Sequence, residues 1–408
     1  MTYDFTVISR VTIYRRRNFM KEKKQNVTLA ILLMNLFIAF LGIGLVIPVL
    51  PTIMNEMQID GTTVGYLTAA FAIAQLILSP FAGKAADKFG RKIMIVLGLF
   101  IFGFSELLFG LGKTIEVLFI SRILGGVSAA FIMPAVTAFI VDITTMETRP
   151  KALGYMSAAI STGFIIGPGI GGFLAELGSR VPFFFAGALG TLAAILSLIL
   201  LIEPTRNTEF EENPAGEQTS SLKRILAPIY LIAFVLIFIV SFGLAAFESF
   251  FSLYFDHKFG FTAKDIAIMI TGGAIIGAIA QVLLFERLAH KLGEIPLMRY
   301  CLILSAVLVF LTTVVSSYFL ILLTTFVLFV GFDLFRPAVT SYLSNIAGNE
   351  QGFVGGMNSM FTSLANIFGP ILGGMLFDVD VNYPYYFATL ILVVGVVLAF
   401  FWKKPAQL

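Results

Sequence analysis

Charge is scarce in this 408-residue chain: only 12% of its residues are Asp, Glu, Lys or Arg, while 58% are hydrophobic. A soluble domain carries roughly a quarter charged residues. A water-facing surface cannot be assembled from such a sequence, so a bilayer must cover most of it. There is a single cysteine, Cys301, inside an apolar run, which excludes a disulfide framework and a CxxC metal site. The two histidines, His257 and His290, lie near segment ends in unrelated surroundings. The first apolar run is too long for an h-region and lacks a small-residue cleavage site, so no cleavable signal sequence is expected. A complete nucleotide loop is missing as well. Gly110-Leu-Gly112-Lys113-Thr114 looks like the tail of a P-loop, but Leu107 stands where its first glycine belongs. ATP is therefore not the expected energy source, and no metal, organic cofactor or nucleic-acid partner is expected.

What the chain does contain is a series of continuous apolar runs. In hydrocarbon every backbone polar group needs an internal partner, which leaves a helix bundle or a closed barrel. Barrel strands would alternate apolar and polar residues, whereas these runs stay apolar over about twenty residues, the length of a membrane helix. Twelve spans are predicted, near 28–54, 62–83, 92–112, 115–139, 152–176, 182–202, 228–253, 265–285, 296–316, 319–341, 354–377 and 384–402. The stretch 203–227 carries Pro204, Asn213-Pro214, Gly216 and a run of acidic residues, and reads as a solvated linker. The predicted organisation is a tail (1–27), a six-helix half (28–202), that linker, a second six-helix half (228–402) and a short tail (403–408). Residues 1–19 precede Met20-Lys-Glu-Lys-Lys, itself a natural start, and are expected to be disordered.

Lys and Arg set the orientation, because they gather in cytoplasmic loops. With the N-terminus inside, inner segments carry twenty Lys and Arg residues and outer loops only Lys113, Arg180, Lys258 and Lys264. Both termini are therefore expected in the cytoplasm of a multi-pass cell-membrane protein.

The two halves repeat. Lys84–Gly90 corresponds to Arg287–Gly293 and Pro134-Ala-Val-Thr137 to Pro337-Ala-Val-Thr340, both at an offset of 203. Gly167-Pro168 with Gly171-Gly172 recurs as Gly369-Pro370 with Gly373-Gly374, and Pro182–Ala186 as Pro384–Ala388, both at 202. Six helices per half give both halves the same topology, so the repeat is parallel. Parallel halves rocking about a midplane site are the architecture of major facilitator transporters. The fold class expected is thus an all-α membrane protein with twelve transmembrane helices in two pseudo-symmetric halves.

Two motifs suit gating. Gly83-Lys-Ala-Ala-Asp87-Lys-Phe-Gly90-Arg91-Lys92 matches the GxxxD-[RK]-x-G-[RK]-[RK] loop signature of that superfamily in full. Gly83 would allow close helix approach, and Asp87 with Arg91 could form a charge network at a helix end that breaks when the halves part. The second copy is degraded, with His290 and Glu294 in place of the Asp and the Arg. In span 5, Gly163, Gly167, Pro168, Gly171 and Gly172 resemble the superfamily's antiporter signature. Small residues let helices pack closely, the proline bends the helix, and a tight seam between halves would oppose proton leak. Ordinary small-residue packing is the alternative, since the pattern recurs in span 11.

Ionisable residues inside spans cost about 2.5–3.5 kcal/mol each on insertion scales, and so call for a partner or a purpose. Candidates are Glu106, Arg122, Glu248, Asp333 and Arg336. Glu106 and Arg122 flank the turn near 114 at one depth, which fits a plain intrahairpin ion pair, while Arg122 with Gly126 also fits an RxxxG signature. Glu248 is walled by aromatics. Burial disfavours its charged form and an approaching cation favours it, so proton and substrate would compete for it. Asp333 and Arg336, spaced i, i+3, can pair on one face, either as a static brace or as a proton-sensitive gate. Among 43 Phe and 12 Tyr, those within a turn or two of these charges are candidate substrate contacts: Phe40, Phe71, Phe164, Phe247, Phe251, Phe332 and Phe361. They could stack on planar drugs or hold cations.

Taken together, 41–51, 83–99, 121–144, 152–176, 243–262 and 331–340 resemble the NorA/Bmr group of multidrug efflux transporters, in the twelve-span drug:proton antiporter family, and the likeness extends over 21–405. It implies export of fluoroquinolones, ethidium-like dyes and quaternary ammonium compounds in exchange for protons, by a monomer that is not an enzyme. The family's proton-linked acidic positions fall on Glu248 and Asp333, and its span-4 arginine on Arg122. A dedicated proton-coupled exporter of a metabolite such as a polyamine is the alternative.

Overall fold

The structure, a computed structural model, describes residues 5–145, 147–204, 228–347 and 351–401. Twelve helices among them are long and apolar enough to cross a membrane. They are span 1 (Gln25–Met57), span 2 (Gly61–Phe89), span 3 (Arg91–Leu111), span 4 (Ile115–Ile143), span 5 (Arg149–Ala175) and span 6 (Val181–Leu200). Then follow span 7 (Ile232–Phe259), span 8 (Ala263–Leu292), span 9 (Glu294–Val314), span 10 (Tyr318–Asn345), span 11 (Val354–Phe377) and span 12 (Tyr383–Phe401). Spans 2, 4 and 8 run several residues past the apolar stretches that predicted them, because hydropathy marks where the bilayer ends and not where the helix does. Most of the expected linker, 205–227, and the tail 403–408 lie outside the described residues. The chain is helical from Phe5, so residues 5–19, expected to be disordered, continue into the first helix.

Local chemistry explains the joints. Span 1 is interrupted by a 3₁₀ turn, Ile47–Val49, where Pro48 and Pro51 follow closely and each lacks a backbone N–H. Span 2 starts at Asp60, whose carboxylate accepts a hydrogen bond from the Thr63 amide at 2.8 Å. Span 8 starts at the equivalent turn with a reciprocal cap between Thr262 and Asp265. The turns between spans 2 and 3 and between spans 8 and 9 each pivot on a glycine with positive φ, Gly90 at 105° and Gly293 at 85°.

Packing repeats as the sequence does. Span 1 packs on spans 5 and 6, span 2 on span 4, and span 3 on spans 4 and 6. The second half shows the same pairs shifted by six: 7 on 11 and 12, 8 on 10, and 9 on 10 and 12. The halves meet along two seams, spans 2 and 11 and spans 5 and 8, which a two-fold axis would interchange.

Those seams close only at the end that holds Asp60. There the Gly61 and Thr62 amides donate to the Asp378 carboxylate at 2.6 and 2.8 Å, Asn55 donates to Asp256 at 3.0 Å, and Lys264 lies 3.1 Å from Glu176. Gly65 lies against the Pro370 backbone, Gly374 against Gly61, and Gly172 against Ala263 and Ala267, with no room for a Cβ. Along the same spans toward Asp87, a Cβ added to Gly83, Gly154, Gly355 or Gly356 would meet nothing within 4 Å. The bundle is sealed at the Asp60 end and parted at the Asp87 end. Gly83 therefore makes no close helix approach, contrary to the sequence expectation, because its neighbours in the other half have swung away.

Candidate functional site

Two cavities of about 270 Å³ each lie between the halves. Alone, each falls just short of the roughly 300–1,000 Å³ typical of ligand pockets; joined, they lie within it. The first is walled by spans 1 to 4 and part of span 7, with Phe40, Phe71, Glu106, Arg122 and Glu248 among its lining. The second is walled by spans 1, 5, 7, 8 and 10, with Phe164, Phe251, Phe332, Asp333, Arg336 and again Glu248. Glu248 stands on the wall they share, and the surface it exposes opens to these chambers.

In the first chamber Arg122 and Glu106 face each other from spans 4 and 3 at 3.9 Å, the intrahairpin pair expected from the turn. The contact is loose: Glu106 Oε2 and Arg122 Nε and Nη2 are buried with no hydrogen-bond partner. The guanidinium instead lies over the Phe109 ring, 4.4 Å from its centroid, a contact that suits a cation shielded from water. Phe109 is in turn stacked on Phe183 at 4.5 Å.

In the second chamber the expected Asp333–Arg336 pair does not form: no ion pair within 4 Å joins them among the described residues. The reason is steric. A Cβ on Gly277 of span 8 would fall onto Asp333 Oδ2, so the Asp333 carboxylate occupies the space that this glycine leaves. Arg336 remains exposed and lines the second chamber with Glu248 and Asp333.

The aromatic candidates divide. Phe40 and Phe71 line the first chamber, and Phe164, Phe251 and Phe332 the second; Phe40 and Phe164 touch across spans 1 and 5 at 4.9 Å. Phe247 and Phe361 line neither. Phe247 is buried in the second half's core against Phe251, Phe332 and Tyr385, and Phe361 stacks on Phe234. Sequence reasoning missed Phe102 and Phe109 in the first chamber and Phe329 and Gln281 in the second. Helical spacing was the available signal, since Phe102, Glu106 and Phe109 share one face of span 3, as Phe329, Phe332 and Arg336 do on span 10.

The gating residues are partly reassigned. Arg91 pairs with Asp87 as expected, and its Nε also donates to Asp142 at 3.1 Å. Glu203 accepts from the Arg91 and Lys92 amides at 2.5 and 2.9 Å, capping span 3. Neither Asp142 nor Glu203 was anticipated, since Asp142 lies on span 4 and Glu203 just beyond span 6, both distant in sequence. In span 5, Gly163, Gly167 and Gly171 press against Phe37, Leu41, Gly44 and Leu45 of span 1, and Pro168 meets Gly44. That contact lies within the first half, not between halves as expected; only Gly169 and Gly172 face span 8 across the seam.

The sequence model of the Major Facilitator Superfamily matches residues 32–284 and again 233–408. The chain is 70% identical over 386 residues to multidrug resistance protein 1 of Bacillus subtilis strain 168, covering 95% of this chain and 99% of the relative. It is 55% identical to multidrug resistance protein 2 of the same organism, over 93% and 96% of the two chains. It is 45% identical to the quinolone resistance protein NorA of Staphylococcus aureus strain Mu50, over 93% and 97%. Among solved structures, a bacterial homologue of the human lysosomal transporter Spinster, in an inward-facing and unoccupied conformation, superposes with a TM-score of 0.80 at 15% identity, over 94% and 99%. The nucleoside transporter NupG superposes at 0.76 with 16% identity, over 92% and 100%. Likeness at that identity speaks for the fold alone.

Proposed function

This chain belongs to the Major Facilitator Superfamily, a family of transporters and not of enzymes, and from that premise we propose that it exports lipophilic, often cationic drugs in exchange for protons. Its relatives named for multidrug and quinolone resistance support the drug cargo. The observation that carries the coupling is Glu248, a carboxylate on the wall between two aromatic-lined chambers. A cation entering either chamber meets that carboxylate, and a proton and a cation cannot both hold it. Asp333, Arg122 and Arg336 complete the proton-coupling set in this reading. The Asp60-end seam and the Asp87–Arg91–Asp142 network are the two gates, made and broken in turn as the halves rock.

With the basic loops in the cytoplasm of a bacterial cell membrane, the parted end faces inward and the structure is ready to load. The protein works as a monomer, since each chain holds a complete pair of chambers. For a substrate without net charge exchanged against one proton, each proton crossing about 100 mV releases about 2.3 kcal/mol, enough for a substrate gradient on the order of fifty-fold.

Everted vesicles energised by respiration are expected to accumulate ethidium and to lose that activity when a protonophore is added. Accumulation that survives collapse of the proton gradient, or that requires ATP, rules out the antiport. Glu248→Gln is expected to abolish ethidium uptake while the protein inserts and folds normally; full activity in that variant would remove Glu248 from the mechanism.

A further inference from the structure

A third cavity, of about 300 Å³, lies between spans 7, 10 and 11 on the Asp87 side of the second chamber. Its polar lining is Ser241, Thr340, Asn358, Thr362 and the guanidinium-bearing Arg336. Arg336 and Leu244 line the second chamber too, so the two spaces share a wall. Residue order gives the depth. Along span 7 the cavity takes Ile237, Val240 and Ser241 before Leu244, with Glu248 a turn further on; along span 10 it takes Val339 and Thr340, beyond Arg336. A molecule coming from the parted end passes this cavity before it reaches Glu248.

Resting on the reading of the chain as a multidrug exporter, we propose that this cavity is a subsite for the carboxylate of zwitterionic substrates, whose cationic end lies in the Glu248 chamber. Arg336 is exposed and has no ion pair among the described residues, and the Asp333 carboxylate occupies the space that Gly277 leaves on span 8. A planar guanidinium offers two parallel N–H donors that match a carboxylate. Around it stand neutral donors: among the described residues no hydrogen bond within the protein engages the side chains of Ser241, Asn358 or Thr362, whereas Thr340 donates to the Arg336 carbonyl at 3.0 Å. One cation ringed by unengaged hydroxyl and amide groups, with no carboxylate in the lining, is a receptor for a single negative charge. Asn358 and Thr362, four residues apart, present their groups from one face of span 11. A purely cationic dye has nothing to place there and uses only the chambers that Glu248 joins.

The test is a three-substrate comparison in everted vesicles: a zwitterionic quinolone, its carboxyl methyl ester, and ethidium. In the double variant Asn358→Leu, Thr362→Val, which keeps the branched side-chain shapes and removes both donors, quinolone uptake is expected to fall at least about tenfold, the loss of a single hydrogen bond to a charged group being the lower bound. Ester and ethidium uptake stay within about twofold of the parent. Unchanged quinolone uptake, or equal loss for all three compounds, overturns the subsite. If the double variant fails to reach the membrane, Ser241→Ala is compared in the same way. If the parent moves no ethidium, the exporter reading has failed; binding of quinolone against ester to the purified full chain, parent against variant, then decides the subsite alone.

Discussion

Arg122 and Glu106 sit on neighbouring helices of the first half and reach each other across the hairpin at 3.9 Å, with the arginine seated on Phe109. Asp333 and Arg336 sit on one helix of the second half and part, the carboxylate lodged at Gly277 and the guanidinium left in a cavity. The loops differ in the same way. Arg91 reaches Asp142 in the first half, while at the equivalent positions, 203 residues on, Glu294 accepts a hydrogen bond from Asn345 at 2.8 Å. A backbone repeated nearly residue for residue thus carries ion pairs in one copy and, in the other, a carboxylate held by neutral groups and two charges that stay apart. The first half pairs its buried charges, while the second holds Asp333 and Arg336 apart.

The largest consequence concerns stability. Removing one partner of a buried pair strands the other charge at a cost of about 3–5 kcal/mol, so Arg122→Leu should markedly lower the unfolding free energy in detergent. Arg336 is exposed to a cavity and has no such partner, so Arg336→Leu should change stability by less than about 1 kcal/mol, as substitutions away from buried networks do. Equal losses in the two variants would erase the distinction between the halves. A smaller effect is expected at Gly277. A methyl there pushes against the Asp333 carboxylate and costs about 1–3 kcal/mol as overpacking. It should also drive Asp333 toward Arg336, so the pH profile of transport shifts in Gly277→Ala. An unmoved profile in Gly277→Ala would leave the glycine a packing residue only.

Much of this was legible in the sequence, and for physical reasons. Twelve apolar runs, two copies of a basic loop and the repeated proline–glycine pairs all reflect constraints that act along the chain, and they gave helices, symmetry and candidate gates. The Glu106–Arg122 pair followed from two residues equidistant from one turn. What did not follow was anything decided between distant helices. Asp142 of span 4 and Glu203, just past span 6, join the Arg91 network, Gly277 of span 8 leaves the space that Asp333 fills, and Gly163, Gly167 and Gly171 face span 1 instead of the seam. Phe247, next to Glu248 in sequence, points into the core because adjacent helical residues diverge by about 100°.

The smallest effect separates the two halves at equivalent turns. Asp60 caps span 2 through a carboxylate, and hydrogen bonds from Thr63, followed by its own backbone, hold that carboxyl below its ordinary value of 3.8. A carboxyl whose folded value is depressed contributes stability above its unfolded value and loses it as pH falls through the folded one. Thr262 caps span 8 through a hydroxyl, which does not titrate. Asp60→Ala should therefore cost about 0.5–1 kcal/mol near neutral pH, with the difference from the parent closing below pH about 3.8. Asp60→Asn, which can still accept from the Thr63 amide, should retain most of that stability at every pH. Detergent unfolding at neutral pH and at about pH 3 measures both, and an Asn variant as weak as the Ala variant would mean that the charge at the helix N-terminus, and not the hydrogen bond, fixes the start of span 2.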